Sequence, residues 1–137
     1  PFKLVWGSST KALEDSRATA TTKTYECFPN DCFNKIVEIL KEKETKKIVF
    51  ISGEDGETKE VIEYGIFIKD PKKRLIVLVG VPGAIDTTEV GIFITPLKLK
   101  ESKVEIVSLS SAAQKTVSMS VFEQLDKMYS EIKEIPL

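Results

Sequence analysis

Residues 61–94 read VIEYGIFIKDPKKRLIVLVGVPGAIDTTEVGIFI, and the way this stretch divides into strands decides the fold. Three apolar runs are separated by two turn signals. In KDPKKR (69–74) Pro71 presets the bend, and PGAID (82–86) supplies the second break. The runs are therefore expected as strands over 59–68, 74–81 and 88–99, with Pro96 marking a bulge or an edge in the last. Links this short make consecutive strands antiparallel neighbours.

The simplest register sets Ile68 opposite Leu75, Ile66 opposite Val77 and Tyr64 opposite Val79, with Val77 opposite Ile92 and Val79 opposite Val90. One face is then an unbroken apolar grid, which reads as the core. A half-exposed sheet would alternate to polar on its other face. This one does not: Phe67, Ile76 and Phe93 form a row, Gly65, Leu78 and Gly91 the next, and Glu63, Gly80 and Glu89 lie beyond. Val107 and Leu109 extend the patch if the last hairpin keeps its register past Pro96. If one helix packs on each side, this second face is core. If both helices share a side, it is a surface for a protein partner, a second copy or a ligand. A slip of one residue exchanges the two faces.

Around this centre the chain supplies further elements. A threonine-rich stretch ending near Cys27 reads as a strand. Asn30 or Asp31 is expected to cap a helix carrying Phe33, Ile36, Val37 and Leu40. KIVFIS (47–52) is a strand closed by GEDGE, and residues 103–109 are another, entered through a turn at Glu101-Ser102. Ser110 or Ser111 opens a long final helix, with Ser111 and Gln114 spaced as a capping box and Pro136 as its end. The expected order is β-α-β-β-β-β-β-α, an α+β two-layer domain with a mainly antiparallel five- to six-stranded sheet. Residues 1–18 are expected as a tether with a short helix, and 19–137 as a single domain.

Composition narrows function. The chain has 137 residues, 42% apolar and 30% charged, with a net charge of −1. Only Arg17 and Arg74 are arginines and no basic stripe appears, so nucleic acid is not an expected partner. Histidine is absent, which removes the commonest general base and metal ligand; no catalytic residues, cofactor or metal are expected, and the chain reads as a non-enzyme. Asp86, Thr87, Thr88 and Glu89 cluster as hard-cation donors but match no calcium loop.

Cys27 and Cys32, in CFPNDC, are the two cysteines. Their spacing suits neither a C-x-x-C redox pair nor, without further ligands, a zinc site. The chain reversal at Pro29-Asn30 makes them candidates for a disulfide across a corner. Inert thiols remain an alternative, as does a Cys32 thiol activated by the first helical turn.

The opening LVWGSSTKALEDSRA, followed by TKTYECFPNDCFNKIVEIL, resembles small bacterial envelope lipoproteins. The succession of strand, capped helix, several strands and long final helix also resembles helix-grip (BamC-like) modules. The resemblance implies a periplasmic, outer-membrane-anchored protein in which residues 4–18 link the domain to a lipid anchor absent from this chain, and in which Cys27 and Cys32 are oxidised. A cytoplasmic location is the alternative. Helix-grip modules further imply a second function, that of a carrier holding a small apolar ligand between the long helix and the sheet.

Overall fold

The computed structural model describes residues 11–50, 56–82 and 89–133. Residues 11–15 are helical and lead into a 3-10 turn at Arg17–Thr19. The chain continues through β1 (Thr21–Tyr25), α1 (Pro29–Glu42), β2 (Thr45–Phe50) and β3 (Thr58–Asp70). It then forms β4 (Leu75–Val79), β5 (Val90–Lys98), β6 (Glu101–Ser108) and α2 (Ser111–Met128). The strands make one six-stranded antiparallel sheet in the order β1-β6-β5-β4-β3-β2. This is the two-layer α+β class and the element order expected from the sequence.

Local signals account for the ends of several elements. Helix α1 starts with Pro29, whose missing N–H costs nothing there, while its N-cap is Phe28 with no side-chain cap. Asn30 and Asp31 are inside the helix, so neither caps it. Helix α2 is capped by Ser110, whose hydroxyl accepts from the Ala113 N–H at 3.3 Å. Gln114 instead accepts from the Ser108 N–H and donates to Thr19 and Thr21, so it belongs to no capping box with Ser111. The helix ends at Met128, well before Pro136. Pro96 does mark an irregularity, since the β5–β6 register shifts between Pro96 and Lys98. That hairpin turns at Leu99-Lys100, two residues earlier than expected.

Both helices lie on one side of the sheet. Phe33, Ile36 and Leu40 of α1 and Val117, Val121 and Leu125 of α2 share a core with Ile76, Leu78, Val90, Ile92, Val104 and Ile106. Each such fully buried side chain contributes about 1.5–3 kcal/mol by leaving water.

The register of β4 differs from the simplest one. Asp70 pairs with Leu75 and its carboxylate accepts from the Lys72 and Lys73 N–H groups, which tightens the hairpin to four turn residues, with Arg74 at φ 52°. Phe67 is then an extra residue in a β-bulge, so Ile68 faces Val77 while Ile66 faces Leu78. On the other side Ile76 faces Ile92 and Leu78 faces Val90. This one-residue slip carries Ile76 and Leu78 to the helix side and Leu75 and Val77 to the opposite side.

That opposite side has its own cover. Leu13, from the helical residues 11–15, packs with Leu75, Val77, Phe93 and Val107 in a second small core. Residues 11–18 therefore pack against the domain, and the apolar face beneath Leu13 is the reason; residues 1–10 of the expected tether lie outside the described residues.

Candidate functional site

The face chosen from the sequence is taken up by the chain itself. Ile76 and Leu78 are fully buried under the helices. Phe93 is buried beneath Leu13 and carries the Arg17 guanidinium 4.4 Å above its ring. Arg17 also donates to the Glu105 carboxylate and to Thr95 Oγ1, so the N-terminal segment is held by an ion pair as well as by Leu13. Gly91 lets Leu13 approach closely: a β-carbon there would meet the Leu13 side chain at 3.2 Å. Gly65 is buried beside the Glu44 side chain. Phe67, at the bulge, is 56% exposed, Glu63 is exposed, and Glu89 is half-buried, its backbone carbonyl accepting from Ser108 Oγ. The eight residues thus form no common surface, because the β4 slip and the Leu13 cover divide them.

A different apolar surface is open. All six residues of β2 are exposed, Ile48 at 70% and Phe50 at 78%. Strand β2 pairs with β3 from Thr58 to Tyr64, whereas β4 pairs only from Gly65 onward. The first half of β3 and β2 therefore project as a two-stranded ribbon. Register shifts at Thr45/Lys46 and at Ile66/Ile68 stand at its base, and bulges of this kind bend and twist a strand away from its sheet. Alternation puts Ile48, Phe50 and Ile62 on one side of the ribbon and Val49 and Val61 on the other. Lys46 anchors the apolar row by ion pairs to Glu44 (3.8 Å) and Glu60 (3.9 Å). A cleft of roughly 430 Å³ runs alongside, lined by Val61, Ile62, Ile66, Phe67 and Val79.

The two edges of the sheet are finished differently. At β1, Glu26 N–H donates to the Ser130 carbonyl (2.9 Å) and Ile132 N–H to the Thr24 carbonyl (2.8 Å), so the residues after α2 close that edge. Asp126 adds side-chain bonds from Lys23 (2.9 Å) and the Tyr25 hydroxyl (2.7 Å). Burial resists ionisation of Asp126, but these two donors outweigh it and hold its carboxyl below the usual range. Burial, reinforced by the bond to Asp126, pushes the Tyr25 phenol up. At β2, no described segment pairs with the outer edge.

The cysteines are free thiols, Cys27 just beyond β1 and Cys32 in the first turn of α1, and both are buried in the helix-side core. The bridge expected across the corner is not formed. The hydrogen bond between the thiols pushes Cys32 up, and burial adds to it, so Cys32 is not the activated thiol that a helix start can create. The same bond draws Cys27 down against the effect of burial. Among the described residues no group of three or more Cys, Asp or Glu side chains is placed to hold a metal. Asp86, Thr87 and Thr88 lie outside the described residues. Between α2 and the sheet, Val117, Val121 and Leu125 pack directly against the strand side chains and are fully buried, so those side chains occupy the position proposed for a carried ligand.

No protein-family model matches the chain, and no curated protein matches it. Among solved structures it is similar to a solution NMR structure from Thermobifida fusca, a structural-genomics target, at 11% identity and a TM-score of 0.43. The match covers 76% of this chain and 82% of that one.

Proposed function

We propose that this chain is a non-enzymatic interaction module that engages a protein partner through the β2–β3 ribbon, by adding a strand to the outer edge of β2. The observation that carries this reading is an edge strand exposed along its whole length and bearing Ile48, Val49 and Phe50. An edge strand presents unpaired backbone donors and acceptors, and natural proteins usually blunt such an edge with charge, proline or a cover. Here the lysines stop at Lys47 and the apolar residues follow. Strand addition supplies affinity through the backbone and selectivity through alternate side chains.

A cell-envelope location goes with this proposal, and its support is the likeness of the opening residues to small lipoproteins. Fractionation and lipid labelling of the full-length protein in its own cell tests it; recovery in the soluble cytoplasmic fraction contradicts it. The binding surface is tested with proteins retained by the immobilised chain, purified and bound again in isolation. Phe50→Lys is expected to weaken such binding tenfold or more, while Phe93→Leu, on the covered face, leaves it unchanged. Equal binding by wild type and Phe50→Lys contradicts the reading.

A further inference from the structure

The two cysteines occupy positions that meet at a helix start. Phe28 is the N-cap of α1, which makes Cys27 the residue before the cap and Cys32 the fourth residue of the helix. Side chains at these two positions pack on each other across the first turn, as in a hydrophobic staple. Here both are thiols. The Cys32 N–H closes that turn on the Phe28 carbonyl at 2.9 Å, and Ser102 Oγ donates to the Cys27 carbonyl at 2.9 Å, so α1 and β6 fix the backbone on either side. Cys27 is 2% exposed and Cys32 fully buried, and both belong to the helix-side core. We infer that this pair is a reversible oxidation site for a small hydroperoxide, with Cys27 as the attacking thiol and Cys32 as the resolving one. The structure holds its reduced form.

Placement assigns the order of the two thiols. Cys27 lines a cleft of roughly 410 Å³ with Glu26, Asp31, Lys100 and Tyr129, whereas Cys32 does not line it. A hydroperoxide entering the cleft therefore meets Cys27 first. The hydrogen bond from the Cys32 thiol draws Cys27 toward its thiolate, the nucleophilic form, against burial and the Asp31 charge, while Cys32 keeps its proton. In the first step the Cys27 sulfur attacks one peroxide oxygen and the O–O bond breaks. Cys27 becomes a sulfenic acid, and the other oxygen leaves as water with the thiol proton. In the second step the Cys32 sulfur attacks the Cys27 sulfur, the S–O bond breaks, and the hydroxyl leaves as a second water with the Cys32 proton. Two electrons pass from the thiols to the peroxide, and a reducing dithiol returns them by exchange. The pair is remote from the β2–β3 ribbon in function, so failure of this inference leaves the interaction reading untouched.

Mass spectrometry of the reduced, folded full chain treated with hydrogen peroxide tests the inference. Wild type is expected to lose both free thiols together, the peptide carrying Cys27 and Cys32 to lose two hydrogens, and dithiothreitol to restore them. Cys32→Ala is expected to stop at a sulfenic acid on Cys27, trapped as a dimedone adduct, and Cys27→Ala to give no adduct on Cys32. Circular dichroism matching the reduced wild type shows that the variants and the oxidised chain are folded; the wild-type readings decide the matter alone if a variant does not fold. Three results overturn the inference. One is oxidation of the exposed Met119 and Met128 while both wild-type thiols stay free. Another is a bridge that forms only after unfolding in urea. The third is a dimedone adduct on Cys32 in folded Cys27→Ala, which removes the assigned order.

Discussion

The two edge strands of this sheet meet opposite fates. Strand β1 is polar, TTKTY, and still receives a cover: a backbone bond from the Ile132 N–H to Thr24, one from the Glu26 N–H just beyond the strand to the Ser130 carbonyl, and side-chain bonds to Asp126. Strand β2 is apolar toward its end, KKIVF, and is covered by no described segment. In a free-standing domain the greasy edge is the one that should be protected. The inversion shows that composition does not decide which edge is closed. What the described residues show is that those leaving α2 run along β1, on the far side of the sheet from β2.

The contrast can be broken at several points. Leu13→Ala removes the plug from the second face and is expected to cost about 3 kcal/mol, read as a lower midpoint in urea unfolding. Truncation after Met128 removes the two backbone bonds that close the β1 edge and is expected to cost about 2 kcal/mol, read as a lower midpoint in urea unfolding. Asp126→Asn weakens the same edge by less than about 1 kcal/mol, since the carboxylate is partly exposed. Its folded-state ionisation is depressed, so the stabilisation is present above the unfolded-state carboxylate range and is lost as pH falls through the folded value. The difference between Asn variant and wild type should accordingly shrink in acid, as thermal melts across that range will show. Phe50→Ser, at the exposed edge, should change monomer stability by less than about 0.5 kcal/mol while affecting association, which separates the ribbon from the core.

Much of the architecture was legible. Turn residues punctuated the strands, helical spacing marked α1 and α2, and Pro96 announced its irregularity, so the element order followed from local chemistry. The register of β4 was not legible, because LIVLV is apolar at every position and no alternation pins one face inward. The bulge at Phe67 left no local mark either; only the Asp70 turn, in which Asp70 closes the bend two residues nearer than the simplest hairpin, hints that the pairing moves. The docking surface was misplaced for the same reason. A single slip took Ile76 and Leu78 into the core, and Leu13, one leucine in a polar stretch, gave little sign that it would cover Phe93. The exposure of β2 depends on where β4 stops: Gly80, at φ 73°, turns the chain away against the Glu63 carbonyl, where a β-carbon would approach within 1.6 Å, so β4 ends before it can flank the ribbon. That glycine was visible in the sequence, but its conformation was not.

Backbone hydrogen exchange, followed residue by residue in the chain alone and with a purified binding partner, tests the open edge most directly. In dilute solution the amides of 75–79 should exchange only by global unfolding, while outward-pointing amides of 45–50 exchange orders of magnitude faster. With the partner bound the amides of 45–50 should gain protection and those of 21–25 should not change. Protection of 45–50 equal to that of 75–79 in the dilute monomer, or no gain on association, would contradict the account.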